Sequence, residues 1–198
     1  MFYTYKKLLI KKLNLQLLPI DQVDVSLLQK WQNDNRVKYP LMSFRFPIQK
    51  KSVHDWLDNI RKSNGKERVV YGIFVNEKPL GMISLDNIDY VNRKASYGIY
   101  VAENKNNNKG IGFKATHLLL DFAFNAMDLN RIELDVLINN KNAIHLYKKI
   151  GFVNEGLKRD SFFADGKFID VQVMAILKKE FKFEKKFIDD RLVISYSN

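Results

Sequence analysis

The sequence predicts an α/β fold, a mixed sheet with helices on both faces, and three observations predict it. Strand-like runs such as 68–75 and 131–137 are separated by segments whose apolar residues recur at helical spacing. Hairpin turns join some strands, whereas strand–helix–strand stretches require crossovers. With 198 residues, 46% hydrophobic and 13% aromatic, the chain has ample apolar material for one packed core.

Residues 1–7 read as an N-terminal extension. Residues 8–18, "LLIKKLNLQLL", alternate from Lys12 onward and predict a first strand. Asp21 or Asp24 can cap a short helix through Leu27, Leu28 and Trp31. The stretch 33–47 is loop-like, with two prolines, yet carries Tyr39, Leu41, Met42, Phe44 and Phe46. An oily loop of this kind covers core or lines a pocket. Val53, Trp56, Leu57 and Ile60 predict a helix over 52–63, followed by strands at 68–75 and 80–91 about the turn "NEKP" and a strand at 95–101. A helix from Gly110 to about Met127 places Ile111, Ala115, Leu118, Phe122 and Ala126 on an apolar face, opposite Lys114, His117, Asp121 and Asn125. A strand at 131–137 and a helix at 140–150, stopped by Gly151, lead to closing strands at 152–159 and 167–177. The main domain is thus 8–178, and 179–198 reads as a C-terminal tail.

Composition narrows the chemistry. Cysteine is absent, which removes disulfides, thiolate catalysis and Cys-type zinc sites together. The three histidines lack metal-ligand spacing, so no metal is expected. The formal charge of +11 attracts anions, but the lysines are scattered with no basic arm, so nucleic acid is not the expected partner. No run reaches the roughly 18 apolar residues that span a bilayer, and no secretion signal is evident. Neither membrane insertion nor export is expected, which leaves the cytoplasm.

The stretch "NNNKGIGFKATHLLLDFAF" joins a glycine-punctuated turn to a helix. A dinucleotide fingerprint, Gly110-x-Gly112-x-x-Ala115, fits in letters but not in place, since eight residues separate Val101 from Gly110. A Walker loop fails for want of Gly-Lys-Ser/Thr. A left-handed turn into a capped helix with no ligand stays open on these residues alone. Three motifs in order carry further. The turn at 107–112, the segment "NNKNAIHLYKKIGF" and the stretch "EGLKRDSFFADGKFIDVQVMAIL" resemble the GCN5-related N-acetyltransferase (GNAT) superfamily, in the branch of ribosomal-protein N-terminal and diamine acetyltransferases. The match covers about 8–178.

The resemblance implies a mixed, mostly antiparallel sheet of six to seven strands with about four helices, and transfer of an acetyl group from acetyl-coenzyme A to an amine that attacks the thioester directly. Backbone amides from Asn107, Asn108, Lys109, Gly110, Ile111, Gly112 and Phe113 would hold the pyrophosphate at a helix N-terminus. Asn107 departs from the family's glutamine or arginine, and Asn108 stands where glycine is common. Ile99, Tyr100 and Val101 would lie along the pantetheine arm. Tyr147 matches the tyrosine that protonates the departing thiolate; the competing reading is a core filler in line with Ala143 and Ile150. Asn140 matches an asparagine on the cofactor arm and is also a helix cap. Asp135, twelve residues before the tyrosine, is the favoured base, with Glu133 and Glu103 behind it; pairing with Arg131 or nearby lysines is the competing reading. Arg36, Tyr39, Arg45 and Phe46, with Glu103, are the acceptor-side candidates. The acceptor stays open between a protein N-terminus, a small amine and a nucleotide-linked amino sugar, as does a fold that binds coenzyme A without turnover. The family resemblance also allows a homodimer.

Overall fold

In a computed structural model, residues 8–10, 15–43, 46–101 and 110–182 are described. Why the strands pair as they do is clearest at β3 (Val69–Val75). Its run "VVYGIFV" has no polar side chain, and all seven residues are buried. Tyr71, Ile73 and Val75 enter the larger core, and Val70 and Phe74 enter a second one, so β3 lies mid-sheet with cover on both faces.

The sheet has eight strands in the order β1-β2-β3-β4-β5-β6-β8-β7. These are β1 (Leu8–Ile10), β2 (Leu15–Pro19), β3, β4 (Lys78–Asp89), β5 (Lys94–Val101), β6 (Arg131–Leu137), β7 (Val153–Ala164) and β8 (Lys167–Leu177). Every pairing is antiparallel except β5 with β6. The count exceeds the six to seven expected because 8–18 is not one strand. It doubles back, pairing Leu8 with Leu17 and Ile10 with Leu15. The β3–β4 turn puts Asn76 and Glu77 at φ 49° and 65°, the left-handed pair of a tight hairpin.

The helices are α1 (Val25–Asn33), α2 (Asn35–Lys38), α3 (Lys50–Ser63), α4 (Ile111–Asp121) and α5 (Lys141–Ile150). Asp24 is the cap of α1, its carboxylate accepting from the Leu27 amide at 3.1 Å. Gly151 ends α5 in a left-handed cap, φ 117°. α1 and α3 pack on one sheet face through Leu28, Trp31, Val53, Leu57 and Ile60. α4 and α5 pack on the other through Ile111, Ala115, Leu118, Ile144 and Tyr147. α4 runs into one π turn, Phe122–Ala126, where the Met127 amide reaches back to the Phe122 carbonyl at 3.0 Å.

The polar face expected for this helix is corrected at His117. It is 6% exposed, with Nδ1 3.1 Å from the Phe113 carbonyl and its ring against Phe113 and Phe181. Phe181 lies beyond the predicted domain end at 178, yet it packs on the main core. The segment 39–42 crosses the α1/α3 side, where Tyr39 and Met42 meet Leu137, Phe162 and Val171.

Candidate active site

The site begins where the sheet stops being a sheet. β5 and β6 pair only from Lys94–Ser96 to Arg131–Glu133, although β5 continues to Val101 and β6 to Leu137. Beyond Ser96 the two strands part, and a cavity of about 470 Å³ opens between them, walled by Gly98, Ile99, Leu134, Val136, Asn140 and Tyr147 among others. Backbone groups facing that gap have lost their ladder partners, and such groups need a substitute.

The start of α4 adjoins the gap. Gly110 takes φ 68°, which costs glycine nothing, and no side chain caps the first turn. A Cβ on Gly112 would come 3.4 Å from Leu146 and 3.9 Å from Ile99, both of which line the cavity. The helix therefore directs its amide end at the edge of the cleft, a setting that favours an anion.

Tyr147 projects from α5 into the same space. Its ring stands edge-on to Tyr97, centroids 5.9 Å apart, and tilts against Phe152 at 5.7 Å. Burial pushes its phenol up to about 12. Its hydroxyl makes no hydrogen bond to a described residue. Tyr97 differs. Its hydroxyl lies 2.6 Å from Thr116 Oγ1, and Thr116 already gives its one proton to the Gly112 carbonyl at 2.7 Å. Tyr97 must therefore be the donor, and its proton is committed.

The candidate acids are paired. Asp135 lines the cavity and accepts from Lys158 Nζ at 2.6 Å through Oδ2, leaving Oδ1 with no partner among the described residues. Glu133 accepts from Arg131 Nε at 3.0 Å, and Arg131 also forks onto Glu155, which pushes the guanidinium further up and Glu155 down. Asn140 caps α5, accepting from the Ala143 amide at 3.2 Å, while lining the cleft.

The other predicted residues scatter. Ile99 faces the cleft, Val101 packs on the main core, and Tyr100 turns to the opposite side, edge-on to Trp31 at 5.8 Å. Ile111 and Phe113 are buried, with Lys149 Nζ 5.2 Å above the Phe113 ring. Arg36 folds onto Asp34 at 2.6 Å, Phe46 is 79% exposed, and Tyr39 packs on Phe162, its phenol pushed up by a hydrogen bond to Asp165. None of these three lines the cleft, whose loop-side wall is Pro40, Leu41 and Met42. Glu103, Asn107, Asn108, Lys109 and Arg45 lie outside the described residues. Sequence reasoning missed Lys158, which reaches Asp135 diagonally across β8: it lies level with Val171 and Leu137, so only the sheet register could have shown the contact. Among the described residues no group of histidines and acids could hold a metal, and no helix is long and apolar enough to cross a membrane.

A family model for the GNAT acetyltransferase domain matches residues 18–173. The chain belongs to the GNAT acetyltransferases. It is 34% identical over 133 residues to Bacillus subtilis (strain 168) YdaF, a candidate ribosomal N-acetyltransferase, covering 67% of this chain and 70% of that protein. It is 34% identical over 102 residues to a spermidine N(1)-acetyltransferase of Vibrio cholerae, covering 52% of this chain and 58% of that enzyme. A crystal structure of V. cholerae spermidine N-acetyltransferase with CoA and spermine superposes with a TM-score of 0.77 at 24% identity, over 84% of this chain and 96% of that one, which shows a shared GNAT fold. The parted strands, the uncapped helix start and the buried tyrosine are the features of this GNAT chain that bear on its chemistry.

Proposed function

We propose that the chain transfers an acetyl group from acetyl-coenzyme A to a primary amine by direct attack within a ternary complex, and that residues 8–178, with Phe181 as an outer seal, form the catalytic unit. One observation carries the reading: strands β5 and β6 separate beside the amide end of α4, with a phenol in the gap that has no hydrogen-bond partner among the described residues. Acetyl-coenzyme A supplies an activated acetyl thioester and a pyrophosphate anchor. Gly110, Ile111, Gly112 and Phe113 offer the anchor their amides, and the freed edge of β5 around Ile99 offers backbone groups to an extended chain. Tyr147 holds its proton at physiological pH and gives it to the leaving sulfur. Asp135, through the open Oδ1, takes an amine proton by way of water while Lys158 fixes the carboxylate. In sum an ammonium acceptor yields an amide, a thiol and one released proton. The ready supply of acetyl-coenzyme A there makes the cytoplasm the working compartment.

Calorimetric titration with acetyl-coenzyme A, followed by thiol release against an amine panel, tests this. Saturable binding with amine-dependent thiol release is expected. No binding up to millimolar cofactor removes the proposal, and binding without release from any amine leaves a coenzyme A-binding module.

Asn140 gives a separable check. Asn140→Ala should lower stability by about 1 kcal/mol through the lost cap, and Asn140→Ser should restore most of it. Thermal melts read the cap. If acetyl-coenzyme A affinity falls in both variants, the side chain also contacts the cofactor; if it follows stability alone, Asn140 is only a cap.

A further inference from the structure

A second cavity, of about 340 Å³, lies on the α1/α3 side of the sheet, and Leu41 and Ser96–Ile99 line both it and the cleft. Trp56, Val70, Met82 and Tyr100 supply apolar wall, and Ser43 and a bonded polar set, Arg68, Asp86 and Ser84, complete it. Cross-strand register places that set beside the wall shared with the cleft: Asp86 pairs with Ser96, the last β5 residue paired with β6, while Ser84 pairs with Gly98. Gly98, without a side chain, sits on the shared wall.

The bonding within the set is lopsided. Arg68 Nε approaches Asp86 Oδ1 at 3.2 Å, and Asp86 Oδ2 accepts from Ser84 Oγ at 2.7 Å. Both carboxylate oxygens are engaged, so Asp86 has little left to give a ligand. Neither terminal nitrogen of Arg68 makes a hydrogen bond to a described residue. The side chain keeps 34% exposure, so it has not been fully desolvated. A guanidinium ion-paired through its Nε, on the wall of a mostly apolar cavity and with its terminal nitrogens unbonded among the described residues, can receive a planar oxyanion. A second ammonium there would face that fork and be repelled.

We infer that the second cavity takes the amine acceptor, and that Arg68 binds a carboxylate carried by that acceptor, with an apolar side chain against Trp56, Met82 and Tyr100. The substrate class is an apolar amino acid with a free amine. A space of this size holds such a molecule and is too small to enclose a nucleotide-linked sugar. Asp86 and Ser84 act as positioning residues for the guanidinium. This inference rests on the acetyltransferase reading.

The test compares phenylalanine, phenylalaninamide and spermidine as acceptors, for the wild-type chain and for Arg68→Gln and Arg68→Lys. Wild type should use phenylalanine with a kcat/KM about 10- to 100-fold above the amide and spermidine, the range of a hydrogen-bonded charged contact. Arg68→Gln should lose that preference through KM, with the amide rate and acetyl-coenzyme A affinity unchanged, and Arg68→Lys should keep part of it. Calorimetry of phenylalanine on the coenzyme A complex should show binding that Arg68→Gln loses. Preference for spermidine or the amide, equal losses on both acceptors, or no phenylalanine binding by the wild-type complex overturns the inference. Failure to bind acetyl-coenzyme A at all sinks the acetyltransferase reading instead, so the two failures are distinct.

Discussion

Replacing Tyr147 with phenylalanine should lower kcat by about 100-fold while leaving the melting temperature nearly unchanged. The rate estimate is the low end of what a positioned general acid contributes. The stability half of the expectation comes from the surroundings. The Tyr147 ring is 8% exposed and wedged between Tyr97 and Phe152, and phenylalanine keeps those contacts. The hydroxyl has no partner among the described residues, so its removal breaks no hydrogen bond to any of them and leaves no donor or acceptor there unpaired. A core-filling tyrosine would show no rate effect. A structurally bonded one, such as Tyr97 with its bond to Thr116, would show a stability loss. The pH dependence adds a third readout. Burial raises the folded phenol to about 12, against about 10 in the unfolded chain. A raised value means that the folded state holds the proton more tightly. The associated stability is complete below about pH 10 and is lost as pH rises toward 12. Melts at pH 9 and 11 should therefore fall more steeply in the wild-type chain than in Tyr147→Phe. Full activity in the variant would remove the acid role.

Much of this architecture was legible in the sequence because it is written in local rules. Asp24 three residues before an apolar position, Asn140 before α5 and Gly151 after it are caps whose chemistry acts within one turn. β3 declared its central place through an unbroken apolar run. What stayed hidden depends on pairing between distant segments. The first strand became a hairpin because Leu8 finds Leu17, a fact about register and not about composition. His117 is a polar residue on the polar side of the helical wheel, yet Phe181, more than sixty residues on, covers it, and the Phe113 carbonyl satisfies its ring. The candidate site divided in the same way. Tyr147, Asp135, Asn140 and Ile99 converge on the cleft, since each sits at a fixed place on its element. Arg36, Tyr39 and Phe46 came from a stretch that reads as a loop, although Arg36 lies in the short helix α2, and no periodicity there says which residues turn inward; Pro40, Leu41 and Met42 do so instead. Arg68 and Asp86 escaped notice because they lie 18 residues apart and meet only through the β3–β4 pairing.

Gly81→Ala should be among the most damaging single-atom changes in the chain. Gly81 lies in β4 opposite Val101 of β5 and Ile73 of β3, next to an irregularity that leaves Leu80 without a place in the β3 register. A Cβ there would sit 2.0 Å from the Tyr100 carbonyl oxygen and 2.9 Å from the Val101 Cα. Both are main-chain atoms, so no side chain can swing aside. The only relief is to separate β4 from β5 at the end where β5 has already left β6. That end holds Ile99 and Tyr100, which wall the two cavities. The expected cost is about 3 kcal/mol, the upper part of the overpacking range, or a fall in melting temperature of roughly 6–12 °C for a chain of this size. Because β5 holds only β4 along that stretch, the damage should reach the site: acetyl-coenzyme A affinity should drop at temperatures where the chain is still folded. Gly156→Ala is the control. A Cβ at Gly156 meets nothing within 4 Å, and its backbone is outside the left-handed region, so its melting temperature and affinity should match the wild-type values. If Gly81→Ala melts with the control, the close approach of β4 to β5 is wrong. If it melts early but binds normally below its transition, β5 owes its position to something other than β4.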